Sequence, residues 1–122
     1  RMLAIDDPAK LQRLFSGDTP WGAVAGLYQQ LVALAPTLGA EVAHGLAWAQ
    51  AGQCERANEL LRSVDPARRL NYQPYWVARA HAERLCGQKD KAIQSLTRAI
   101  GLTSSPAARR HLLERLGSLT TA

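Results

Sequence analysis

An all-α fold built from antiparallel helical hairpins is what this sequence predicts, on three observations. The 122-residue chain holds 21 alanines and 18 leucines against 8 valines and isoleucines together, a bias towards unbranched side chains that favours helix over sheet. Proline and glycine divide it into segments of helical length whose apolar residues recur at i, i+3 and i+4. Residues in its middle repeat at a fixed offset of 35, as stacked helical units do. The length suits one modest core and a single domain.

The elements follow in order. Asp7 with Pro8 behind it starts a helix whose Leu11, Leu14 and Phe15 form one apolar stripe before Gly17. Asp18-Thr19-Pro20-Trp21 repeats that start signal, and Trp21, Val24, Leu27, Tyr28, Leu31 and Leu34 keep helical spacing until Ala35-Pro36 stops them. A third helix runs from about Gly39 to Ala51 and ends at Gly52, the residue type suited to the left-handed position after a helix. A fourth covers about Cys54 to Val64. Asp65-Pro66 then opens the longest loop, through Asn71, with an exposed pair Arg68-Arg69. The fifth, about Pro74 to Cys86, ends at Gly87, and the sixth, about Lys89 to Leu102, aligns Ala92, Ile93, Leu96, Ala99 and Ile100. After Ser104-Ser105-Pro106 a last helix carries Leu112, Leu113, Leu116 and Leu119 opposite Arg110, His111, Glu114 and Arg115.

The offset is carried by Gly52 and Gly87, Ala57 and Ala92, and Leu61 and Leu96, each pair 35 residues apart. A helix–glycine–helix unit of about 34 residues is the pattern of tetratricopeptide repeats, in which each hairpin buries its stripe against the next. Small residues belong where paired helices cross, and Gly45 with Ala57 and Ala80 with Ala92 supply them; Trp48, Leu61, Trp76 and Leu96 fill the gaps around them. The expectation is a tetratricopeptide-like array of about seven helices, with pairs at about 7–35, 39–64 and 74–102 and a capping helix at about 106–119. The polar residues His44, Arg79 and Glu83 stand at positions the motif keeps apolar or aromatic, which predicts an irregular superhelix.

Over residues 18–119 the similarity is closer. The run from Asp18-Thr19-Pro20-Trp21 through Leu27-Tyr28 to Leu34-Ala35-Pro36, then Tyr75 to Gly87 with Ala78-Arg79-Ala80, then Ala99-Ile100-Gly101-Leu102-Thr103 and Leu112-Leu113-Glu114-Arg115-Leu116, resembles the helical C-terminal extension of certain extracytoplasmic-function sigma factors. The resemblance implies a regulatory, non-catalytic domain of a transcription initiation factor. Its protein partners would be RNA polymerase, the sigma-factor core regions or a regulator, with DNA bound only by the upstream part of the parent chain. The opening Arg1-Met2-Leu3 fits a fragment of such a longer chain. A free-standing tetratricopeptide adaptor that clasps a peptide of an unrelated partner is the alternative.

The net charge of +5 lies wholly in the second half: residues 55–122 hold twelve basic and six acidic groups, residues 1–54 three and four. The arginines of that half could steer nucleic acid. Interleaved acids and the lack of an aromatic stacking platform favour ordinary solvated helix faces instead. No phosphate-binding loop, nucleophile elbow or metal-ligand spacing is present, so no enzyme, cofactor or metal is expected. No apolar run approaches the roughly 20 residues of a membrane span and no signal-peptide pattern opens the chain, which points to a cytoplasmic protein without membrane contact. Cys54 and Cys86, 32 residues apart, have neither disulfide-framework nor zinc spacing and are expected to be reduced packing residues. The first helix of each pair would line a concave groove, making Val42, Leu46, Gln50, Val77, His81 and Arg84 the expected contacts to a partner peptide, unless the chain's own first or last helix fills that groove.

Overall fold

The computed structural model describes residues 19–121, and these form seven helices with no strand among them. In order they are α1 (Trp21–Leu34), α2 (Leu38–Gln50), α3 (Cys54–Ser63), α4 (Pro66–Arg69), α5 (Gln73–Leu85), α6 (Lys89–Leu102) and α7 (Pro106–Thr121). The all-α expectation holds. The helix expected over Asp7–Gly17, and with it half of the pair at 7–35, lies outside the described residues.

Two hairpins, α2–α3 and α5–α6, turn in the same way. Gly52 and Gly87 take φ of 84° and 74°, which only glycine adopts without cost. At the first turn Gly52 N–H donates to Ala49 O and Gln53 N–H to Trp48 O; at the second Gly87 N–H donates to Arg84 O and Gln88 N–H to Glu83 O. Both turns thus have the two bonds of a Schellman motif, which satisfies the last carbonyls of α2 and α5. Thr37 Oγ1 accepts from Ala40 N–H to cap α2, and Ser105 Oγ does the same for Ala108 N–H in α7.

The hairpins stack through their first helices: α2 packs on α5, α3 also reaches α5, α1 lies against α2, and α7 lies against α6. Where α2 crosses α3, Gly45 is buried with its Cα against the branch point of Leu61, and Ala57 sits beneath. A core of Val42, Ala49, Ala57, Leu61, Val64, Tyr75, Ala78 and Ala82 fills the space between α2, α3 and α5. A second, of Ala80, Leu96, Ala99 and Leu112, joins α5 and α6 to α7. Trp76 packs against both cores.

Four expectations change. The connection after α3 is not an open loop: Asp65 caps Ala67 N–H and Pro66 takes the first helical position, so residues 66–69 form the single turn α4. Arg69 is not exposed beside Arg68. Its guanidinium donates to Leu61 O and Arg62 O at the end of α3 and to the Tyr75 hydroxyl, where a cation meets the negative end of the helix dipole. Leu113 is 49% exposed, so the buried stripe of α7 is Leu112, Leu116 and Leu119.

The fourth is the cysteines. Cys54 opens α3 and Cys86 ends α5, their Cα atoms are 5.7 Å apart, and they form a disulfide. Spacing along the chain concealed this, because the two residues lie beside successive glycine turns that the hairpin stacking brings together. The bridge, with Asn58 donating to Gln88 Oε1 at 3.1 Å beside it, ties the start of α3 to the end of α5.

Candidate functional site

Packing α2 beside α5 leaves part of each helix uncovered, and α7 borders the same space. The result is an open cleft of about 580 Å³ lined by Leu46 of α2, by Pro74, Val77 and His81 of α5, and by Leu112 and Arg115 of α7, among others. Its floor is mostly apolar. The six expected contact residues divide. Leu46, Val77 and His81 line the cleft. Gln50 reaches it through His81. Arg84 lies at its end, in a smaller recess shared with Arg115. Val42 does not take part: it is 7% exposed and belongs to the core between α2 and α5. The last helix forms a wall of the groove rather than filling it.

His81 is the polar centre of this surface. Its Nδ1 faces Nη2 of Arg84 at 3.2 Å and Nη2 of Arg115 at 3.3 Å, and its Nε2 lies 2.9 Å from the terminal amide of Gln50. Guanidinium groups only donate, so Nδ1 accepts and Nε2 carries the proton; the atom beside Nε2 is Gln50 Nε2, and exchanging the two ends of that amide is what would give the proton an acceptor. Burial, then Arg84, then Arg115, hold the His81 pKa below the ordinary histidine value. The imidazole is therefore neutral at pH 7, and the two arginines beside it supply the positive charge.

Arg115 and Leu112 went unforeseen at this surface, although the period contained a signal for both. Extended by one unit it aligns Val42, Val77 and Leu112, and likewise Gly45, Ala80 and Arg115. In the hairpins the second of these positions is small because a paired helix closes over it. In α7 no described helix does so, and a long side chain fits.

Most of the remaining arginines of the second half are held by partners within the fold, three of them, Arg69, Arg79 and Arg98, around the Tyr75–Trp76 pair. Arg68 pairs with Glu41 at 3.1 Å and Arg79 with Glu83 at 3.3 Å. Arg79 and Arg98 lie 5.5 and 5.2 Å from the Trp76 ring centre, Arg69 5.1 Å from that of Tyr75, and Arg109 donates to Thr103 O. Aromatic rings do meet these arginines, but as packing partners already covered by cations, not as a free stacking platform. Trp48 likewise donates to His44 Nε2 at 3.0 Å with Arg56 over its ring.

Among the described residues no three His, Cys, Asp or Glu side chains converge as a metal ion would need, and no helix is long and apolar enough to cross a membrane. No protein-family model, curated protein or solved structure matches this chain. What the surface offers chemically is recognition: an apolar trough ending in two positive charges.

Proposed function

We propose that this chain is a tetratricopeptide-like interaction domain, the C-terminal regulatory part of an extracytoplasmic-function sigma factor. It acts through contact with RNA polymerase, the sigma core regions or a regulator. The observation that supports the interaction role is the pairing of α2 with α5, each followed by the same kind of glycine turn, which leaves Leu46, Val77 and His81 on one open surface. A trough of this kind suits an extended segment of a partner, because apolar side chains can bury there while polar groups at the rim set register. The assignment to a sigma factor rests on the similar run from residue 18 to residue 119. Most basic side chains are engaged internally, which favours a protein partner over nucleic acid.

On this reading the domain works in the cytoplasm, where thiols are kept reduced, so the Cys54–Cys86 bridge belongs to the oxidised protein. The deciding experiment is transcription in vitro from the parent factor's own promoter, with the intact parent and with a version lacking this domain. A changed yield or promoter occupancy is expected. Unchanged promoter-specific transcription would overturn the assignment and leave a free-standing adaptor.

A further inference from the structure

We infer that the His81 end of the cleft is a carboxylate-binding site, and that the segment it takes from a partner is an acidic peptide with apolar side chains beside its carboxylate. This rests on the reading of the cleft as a protein-binding surface and names the chemistry of its ligand.

Three observations carry it. Arg84, near the end of α5, and Arg115, on α7, come from different helices yet converge on one atom, Nδ1 of His81, at 3.2 and 3.3 Å. Two cations held this close repel one another, and a neutral imidazole lone pair offsets little of that charge. Second, the ion pairs Arg68–Glu41 and Arg79–Glu83 lie elsewhere, and among the described residues neither Arg84 nor Arg115 is paired with a carboxylate. Third, Arg115 lines the apolar trough beside Leu46, Pro74 and Val77, and Arg84 lines the recess that adjoins it through Arg115. A ligand that satisfies both ends needs an anionic group to accept from two guanidinium forks and apolar groups alongside it. Planar carboxylates match such forks. Gln50 contributes by holding the His81 ring, so that Nδ1 and not Nε2 faces the arginines.

The test is a titration of the isotope-labelled 122-residue chain by nuclear magnetic resonance, read at the Arg84 and Arg115 side-chain N–H groups and at the His81 ring. The probe is a short N-acetylated, C-amidated peptide of alternating leucine and glutamate; its comparison is the leucine–glutamine peptide of the same length. The glutamate peptide is expected to shift all three side chains and to raise the protonation midpoint of His81, because a bound carboxylate offsets the field of the arginines. Arg84→Gln and Arg115→Gln should each weaken it by about tenfold, the worth of one charge-assisted hydrogen bond. Arg109→Gln, which alters a cation elsewhere on α7, should leave it unchanged, and the amide spectrum of each variant reports its folding. Equal binding of both peptides overturns the carboxylate site while leaving the cleft a peptide-binding surface. An equal response to sulfate makes it a general anion site and overturns the peptide inference. No response at Arg84 and Arg115 to the glutamate peptide overturns it outright, whatever the transcription experiment gives.

Discussion

Ser95 Oγ donates to Glu83 Oε1 at 2.6 Å across the interface of α5 and α6, and both side chains are buried. The other oxygen of Glu83 accepts from Arg79 Nε, one turn earlier on α5, at 3.3 Å. A buried carboxylate is tolerated only when its lone pairs are used, and here each oxygen has a donor. The arrangement fixes how α6 lies on α5, because the hydroxyl must meet the carboxylate.

Removing that hydroxyl leaves a buried acceptor short of a partner, at a cost of about 1–3 kcal/mol. Ser95→Ala is therefore expected to lower the urea midpoint by that equivalent without changing the slope of the transition. Arg79→Ala should cost more, since it strips the counter-charge from a carboxylate that is itself buried. Urea unfolding of the two variants side by side checks the order.

Gly45 and Gly101 predict opposite signs for one substitution. A methyl group on Gly45 would stand 2.7 Å from Leu61 Cγ, a fully buried branch point that cannot swing aside, whereas nothing lies within 4 Å of one on Gly101. Alanine is better than glycine in a helix by roughly 0.5–1 kcal/mol, and that gain should appear for Gly101→Ala. At Gly45 overpacking of about 1–3 kcal/mol outweighs it, so Gly45→Ala should melt lower, and adding Leu61→Ala should remove the clash while opening a cavity. Thermal melts decide; a Gly45→Ala protein as stable as the parent would mean the two helices can move apart.

The architecture was legible because its signals are local: glycine after a helix, proline at a start, small residues at a crossing. Gly52, Gly87, Gly45 and Ala57 each do what their residue type does in isolation. The polar departures were legible as departures only. Counting by the period of 35 aligns His44 with Arg79 and Trp48 with Glu83, and the structure makes each an i,i+4 polar pair, His44–Trp48 in one hairpin and Arg79–Glu83 in the next. Each hairpin satisfies its own buried polar atoms by a different chemistry, which no motif of residue types encodes. The disulfide and Arg115 were hidden for a related reason. Both depend on which turns and helix ends become neighbours after stacking, a distance the spacing along one chain does not contain.

The disulfide should dominate the response to reductant. Closing a loop across a separation of 32 residues restricts the unfolded chain by an entropy worth about 3–4 kcal/mol. Dithiothreitol is thus expected to lower the melting temperature, and a Cys54→Ala/Cys86→Ala double variant to melt near the reduced protein and ignore the reagent. A melting temperature indifferent to reductant in the parent would mean that the bridge contributes nothing to the folded state's advantage.

Acid should destabilise the protein through two histidines in particular. His44 is held below the ordinary pKa by burial and then by Arg56, and His81 by burial, then Arg84, then Arg115. The sign follows from where protons bind. In the unfolded chain both rings titrate near the ordinary value of about 6.5; folded, they take up protons only at lower pH. Between those values the unfolded state holds more protons, so stability rises with pH there, is fully present above about 6.5, and is lost as pH falls through the folded values. Protonation of His44 also removes the lone pair that accepts from Trp48 Nε1, and protonation of His81 places a third positive charge against two guanidinium groups. Unfolding midpoints measured from neutral pH downwards should therefore fall, and His81→Gln should reduce the steepness by removing one of the two groups. Adding the glutamate peptide should reduce it further in the parent, since a carboxylate between Arg84 and Arg115 raises the folded pKa of His81 towards its unfolded value. A slope that His81→Gln leaves untouched would place the acid sensitivity at His44 alone.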